Sequence, residues 1–202
     1  INRFFLGANV KKRLIDPHGR RVRKLRVSLT DKCNLRCHYC MPMDAKFMDE
    51  EGYLSFAEYG ELIRELCDYG LEELRITGGE PLLRRSFGSF LDAIEGAPLK
   101  KIGLTTNAVL LDHYLDRLWE RGVHYLNISL DSLSHENFRR ITRGNNLSRV
   151  LKNIESAKEK GFEVKINVVA MKGFNDHEIF DFVHYSKNMD IEVRFLALMR
   201  IG

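Results

Sequence analysis

No apolar run among the 202 residues approaches the roughly 18 needed to cross a bilayer, so no membrane association is expected. No secretory signal is visible, and cytoplasm is the expected compartment. Neither sign of charge is in large excess. Lys and Arg total 32 against 28 Asp and Glu, and a net charge of +4 is too small to argue for nucleic acid. The most basic stretch, Lys11 to Arg26, reads as a solvated entry segment, with anion contact as the sharper alternative. There is no low-complexity segment and no repeat beyond a strand–helix unit. Seven histidines are scattered, and none makes a credible catalytic pair. Cysteine is scarce: there are four, and none follows Cys67. What remains is ordinary for a soluble chain, 44% apolar and 30% charged, and long enough for one domain with a sizeable core.

Three of the four cysteines fall in one stretch, LRVSLTDKCNLRCHYCM. Cys33, Cys37 and Cys40 follow the spacing C-x3-C-x2-C. Clustered thiolates in an intracellular chain point to metal rather than disulfides. Zinc prefers a complete tetrahedral set, commonly two pairs of ligands, and no second pair exists here. His38 lies too close to Cys37 for an easy chelate. Three thiolates suit a [4Fe–4S] cubane with one iron left open to a substrate or cofactor. A zinc knuckle completed by His38 or a distant histidine is the plain alternative, and a buried redox loop is a second. Cys67 lies at helical spacing on an apolar face and reads as a core residue.

Residues 1–24 carry little periodicity and read as an N-terminal arm, leaving 25–202 as the main domain. Strands are expected over 25–30, 73–77, 101–106, 125–130, 163–171 and 191–199. Ser55 and Glu58 form a capping box ahead of a helix with Phe56, Tyr59, Leu62, Ile63 and Leu66 on one face, stopped by Gly70. Asp112 opens another, through Leu115, Leu118 and Trp119 to Gly122. A third covers 147–160 and stops at Gly161. Asn175 and Glu178 cap a last helix carrying Ile179, Phe182 and Val183, and a weaker helix covers 86–95. This alternation predicts an α/β fold with a parallel sheet, curled by right-handed crossovers into a partial (βα)6 barrel. Because the sequence stops after its sixth strand, a closed eight-stranded barrel is not expected.

The strand patterns predict an unusual interior. The faces that pack on helices must be apolar, as Leu25, Val27, Leu74, Ile76, Leu126, Ile128, Val164 and Ile166 are. The alternate positions then face the lumen, and they are polar: Arg26, Ser28, Arg75, Thr77, Asn127, Ser129, Asp131, Lys165, Asn167 and Arg194. A closed barrel packs its interior with branched apolar residues, so a wet cavity is expected instead. Four converging cations, Arg26, Arg75, Lys165 and Arg194, imply an anionic guest. The bland alternative pairs some of them with Glu80, Asp131 or Glu192. The third strand does not fit the alternation cleanly and is left unassigned. Thr77-Gly78-Gly79-Glu80-Pro81 follows the second strand, where two glycines allow close backbone approach.

Taken together, the cysteine spacing with Tyr39 before the last cysteine resembles the signature of the radical S-adenosylmethionine (SAM) superfamily. LRVSLTDKCNLRCHYCMP, RITGGEPLLR, LTTN, NISLDSL, ITRG, KINVVAMKGFND and VRFLALM, in that order, resemble the GTP 3′,8-cyclase family of molybdenum cofactor biosynthesis. The resemblance implies that Cys33, Cys37 and Cys40 hold a [4Fe–4S] cluster whose open iron takes the amino and carboxylate groups of SAM. It implies SAM contacts at Tyr39, Gly78, Gly79, Glu80, Ser129 and Met199. It implies substrate contacts at Arg26, Arg75, Thr106, Lys165 and Arg194, with GTP as substrate and a 5′-deoxyadenosyl radical as the hydrogen-abstracting species. An electron-donor protein is the implied partner, and a homodimer is left open.

Four departures from the family pattern stand out. A second cysteine group beyond the sixth strand is missing, which a truncated sequence would explain. Glu73 replaces a basic residue, Ala108 a glycine and Ala197 an acidic residue, and these suggest a paralogue with another small-molecule or peptide substrate. A non-catalytic metal- or cluster-binding protein is the alternative from another class.

Overall fold

The computed structural model describes residues 13–199. Most of the expected arm therefore lies outside the described residues. Of the part within them, residues 13–23 form a small hairpin with a bridge between Ile15 and Arg21. Asp16 closes its turn by accepting from the backbone N–H of His18 and Arg20, both at 2.9 Å.

Six parallel strands form one sheet in chain order: β1 (Lys24–Ser28), β2 (Glu73–Thr77), β3 (Lys101–Thr106), β4 (Val123–Ser129), β5 (Glu163–Ala170) and β6 (Glu192–Ala197). Strands that are neighbours in sequence are neighbours in the sheet, as repeated crossovers of one hand produce. The helices between them are α1 (Phe56–Asp68), α2 (Phe87–Ala93), α3 (Leu115–Glu120), α4 (His135–Thr142), α5 (Leu147–Glu159) and α6 (Ile179–Met189).

The core lies between sheet and helices. Leu74, Ile76, Leu104, Leu126, Ile128 and Ile166 are buried from the strands, against Ile63, Phe90, Leu118, Ile154 and Phe182 from the helices. The opposite face of the sheet carries the polar positions, as the alternation requires. β3 joins this scheme once Gly103 is placed. It stands opposite Arg75 in the register, and a Cβ there would lie 2.6 Å from the Arg75 guanidinium. Lys101, Gly103 and Thr105 thus face the lumen, while Leu104 is buried behind it. A glycine and two threonines blur the pattern that apolar residues make plain.

The capping box at Ser55 forms in full, and Gly70 ends its helical segment at φ +94°. Leu62, expected on the packed face, is 43% exposed. Two other helix starts differ from expectation. Asp112 falls in a single 3-10 turn (Leu111–His113), and α3 begins only at Leu115, because the Asp112 carboxylate is taken by Arg149 at 2.9 Å rather than by a helix N-terminus. Asn175 and Glu178 do not cap α6 either. The Asn175 amide donates to the carbonyls of Asp131 and Val169, and Glu178 accepts from the loop after β4. Both are buried tethers between the β4 and β5 ends, and α6 starts behind them with Ile179 and Val183 partly exposed. Helix α4 has no counterpart among the expected elements, since its eight residues offer only a short apolar pattern around Phe138 and Ile141.

Candidate functional site

The cysteine loop leaves β1 and crosses the C-terminal end of the sheet. Its backbone is pinned from two sides. On one, Arg36 and His38 donate N–H groups to the carbonyls of Thr142 and Ile141, at 3.0 Å each. On the other, Gly79 and Glu80 donate to the carbonyls of Thr30 and Lys32, at 2.6 and 2.8 Å. This second contact demands the glycines. A Cβ on Gly78 would sit 2.7 Å from the Thr30 carbonyl oxygen, and one on Gly79 would strike the carbonyls of Asp31 and Lys32.

Cys33, Cys37 and Cys40 are free thiols that line one cavity of about 260 Å³. Tyr39, Thr77, Gly78, Gly79, Thr105, Thr106, Asn107 and Ser129 complete its wall. Burial, followed by the charge of Asp131, pushes the Cys37 thiol up to about 12. Burial also raises Cys33, opposed by the Leu35 N–H that points at its sulfur from 3.4 Å. Protonated thiols become ligands only as metal displaces their protons. Among the described residues no three His, Cys, Asp or Glu side chains are gathered around a point for a single metal ion. A cubane asks for something else, one thiolate for each of three irons. Three thiols spaced along one cavity wall, facing a strand end stripped to glycine, fit that group.

Two buried carboxylates hold this end together. Glu80 is 1% exposed and accepts from the Thr106 hydroxyl, the Asn107 N–H and the Leu82 N–H. Burial pushes it up to about 7 against these three donors. It stands behind the glycine loop rather than on the cavity wall, and Thr106 spends its hydroxyl on it. Asp131 accepts from the Tyr39 phenol at 2.7 Å and the Val169 N–H at 2.8 Å. Asn107 adds an amide 3.7 Å from the Cys33 sulfur. These supporting contacts are only partly legible in the sequence: LTTN and NISLDSL carry Asn107 and Asp131, but nothing in their spacing names the groups they hold.

Ala108 adopts φ +60°, in the left-handed region that glycine occupies without strain, and it is fully buried. The departure at this position is thus met by backbone strain. Met199 does not line the cysteine cavity itself; 80% exposed, it lines an apolar groove that shares Tyr39 with that cavity and is completed by Val169, Leu196, Ala197 and Leu198.

Toward the N-terminal end of the strands the same sheet face opens into a cationic cavity of about 310 Å³, lined in part by Arg26, Arg75, Lys101 and Arg194. An adjoining one is lined by Lys165, Glu163 and Tyr125 with several of the same residues. The four cations read from the sequence do converge here. Two are partly neutralised: Lys165 pairs with Glu192 at 2.7 Å, and Arg194 pairs with the same carboxylate. Glu80 and Asp131 take no part in this. Arg75 keeps one guanidinium nitrogen buried without a hydrogen-bond partner. Burial lowers its pKa, and the neighbouring Arg26 and Arg194 lower it further.

Comparison with known proteins identifies the class. The model of the radical SAM superfamily matches residues 27–185, and the chain belongs to that superfamily. Within it, the chain is 56% identical over 197 residues to a GTP 3′,8-cyclase of Synechocystis sp., covering 98% of this chain and 60% of that protein. It is 42% identical over 190 residues to a GTP 3′,8-cyclase of Alkaliphilus oremlandii, covering 93% and 59%. The chain therefore spans about 60% of the length of the curated relatives it matches. In fold it is similar to Streptococcus suis SuiB bound to S-adenosylmethionine, with a TM-score of 0.76, 21% identity, and coverage of 89% of this chain and 41% of that one. No helix among the described residues is long and apolar enough to cross a membrane.

Proposed function

We propose that this chain is the radical SAM core of a GTP 3′,8-cyclase. In this reading Cys33, Cys37 and Cys40 each give one thiolate to a [4Fe–4S] cluster. Tyr39, Gly78, Gly79, Ser129 and Met199 contact SAM, and Glu80 fixes the glycine loop. Arg26, Arg75, Lys165 and Arg194 take the anionic end of GTP, with Thr106 between the two ends. When bound, the cluster and SAM supply a 5′-deoxyadenosyl radical that abstracts hydrogen from the substrate. The chain's own residues do the positioning: Tyr39 and Asp131 hold the cysteine loop, and Arg75 aims a buried cation at the substrate phosphates. Among the described residues, 13–23 serve as an arm ahead of the partial barrel, which starts with β1 at Lys24. The protein works in the cytoplasm with an electron-donor protein and without nucleic acid or membrane, and a homodimer is compatible with this reading.

One observation carries the proposal. The cysteine cavity and the cationic cavity share one sheet face, and their walls meet two residues apart on two strands. Thr77 and Ser129 line the first, Arg75 and Asn127 the second. Two residues of strand span roughly 7 Å. A nucleotide with its phosphates among the cations thus has its sugar at the cysteine end, where hydrogen abstraction is needed. That the relatives are GTP 3′,8-cyclases agrees with that arrangement.

Glu73, a carboxylate in the cationic cavity, favours a second reading: a radical SAM paralogue for a less highly charged small molecule or a peptide. The test is 5′-deoxyadenosine formation by the anaerobically reconstituted, reduced protein. The proposal expects GTP, and not ATP, to raise it and to be consumed with it. Cleavage indifferent to GTP favours the paralogue, and no cleavage contradicts both.

A further inference from the structure

The cationic cavity contains a lysine that neither the sequence reading nor the family resemblance singled out. Lys101 opens β3 and lines both adjoining parts of the cavity. In the sheet register it stands directly opposite Glu73. Two oppositely charged residues at such a position are expected to pair, yet the carboxylate of Glu73 is taken by Lys24 at 2.9 Å. Lys101 instead lays its ammonium over the ring of Tyr125, 3.6 Å from the centroid.

The difference matters for what the cavity can bind. Among the described residues, Lys24, Lys165 and Arg194 have carboxylates within ion-pair distance. Arg26, Arg75 and Lys101 have none, although each lines the cavity. An aromatic face holds a cation without using up its hydrogen-bond donors on a competing anion. A lysine so held keeps its three donors for a guest and loses little side-chain freedom when the guest arrives. Gly103, two residues on, leaves the room that lets the Arg75 guanidinium lie beside it.

We infer that Lys101, held by Tyr125, is a substrate-binding residue that joins Arg75 and Arg26 in gripping the anionic end of the substrate. Glu73, held by Lys24, sets the limit of that grip. The inference rests on the reading of the cavity as a phosphate site and adds a residue to it.

The test is equilibrium binding to the anaerobically reconstituted protein, with GTP, guanosine and inorganic tripolyphosphate as separate probes. Lys101→Met is compared with Lys100→Met, whose lysine pairs with Glu72 outside the cavity. Lys101→Met is expected to weaken GTP and tripolyphosphate by about tenfold or more, as loss of a direct ionic contact to phosphate does, and to leave guanosine within about twofold. Lys100→Met is expected to leave all three near wild type. Tyr125→Leu should weaken the same two anions in part, and Glu73→Gln should tighten them. If Arg75→Ala weakens GTP while Lys101→Met does not, the inference is overturned and the phosphate reading stands. If the wild type binds tripolyphosphate in a Lys101-dependent way but not GTP, the lysine's role stands and the nucleotide reading is overturned. If it binds neither, both are overturned.

Discussion

The phenol of Tyr39 donates to Asp131 at 2.7 Å, tying the residue between two cysteines to the end of β4. The other oxygen of the same carboxylate accepts the Val169 N–H, so one buried side chain clamps the cysteine loop, β4 and β5 together. Tyr39→Phe removes one bond and leaves the carboxylate otherwise satisfied. Asp131→Ala orphans both donors. The expected losses of stability are about 1 kcal/mol for the first and roughly 3 kcal/mol for the second, read by chemical denaturation of the metal-free protein. A double variant that loses no more than Asp131→Ala alone is expected, because the two residues form one contact.

The glycine loop tests the backbone fit. Gly79→Ala places a methyl against the carbonyls of Asp31 and Lys32, which cannot move without displacing the cysteine loop. Iron uptake and the visible charge-transfer absorption on reconstitution should fall severalfold. Gly96→Ala, at a turn where a Cβ meets nothing within 4 Å, should cost some stability through its φ of +74° but leave both unchanged.

Glu80 makes a prediction in pH. Its folded value of about 7 lies above the ordinary 4.5, because burial penalises the charged form. The folded chain therefore holds this proton more tightly than the unfolded chain. The stability it contributes is complete below 4.5 and is lost as pH rises toward 7, by roughly 3 kcal/mol at full effect. Glu80→Gln cannot ionise, so its melting temperature should gain on the wild type as pH rises from 4.5 to 7. A constant difference across that window contradicts the assignment.

Cys67 packs partly buried against the core from α1 and does not line the cavity of the other three thiols. Cys67→Ser should leave iron content unchanged. Cys37→Ser should lower it sharply, since Cys37 lines the cavity with Cys33 and Cys40.

Much of this was legible beforehand. The apolar packed face and the polar lumen follow from alternation at Leu74, Arg75, Ile76 and Thr77, because burial on one face imposes a period of two. The cysteine loop and the glycine pair were legible because few other chemistries need those residues at that spacing. What stayed hidden depended on partners distant in sequence. Asp112 and Asn175 are helix-capping types by their local pattern, but Arg149 and the Asp131 carbonyl claimed them. The role of Lys101 is not legible in the sequence, because it depends on Glu73, Lys24 and Tyr125, brought together only by the sheet register. The same register bears on the departure at Glu73: the strand next to it puts a cation in the same cavity.

The central claim is that three thiolates hold a cubane with one iron open to SAM. The most direct measurement is the EPR spectrum of the anaerobically reconstituted, reduced protein with and without SAM. The account predicts a [4Fe–4S]⁺ signal whose g-values shift when SAM is added. A protein that takes up stoichiometric zinc and gives no cluster signal, or a cluster signal that SAM leaves untouched, contradicts it.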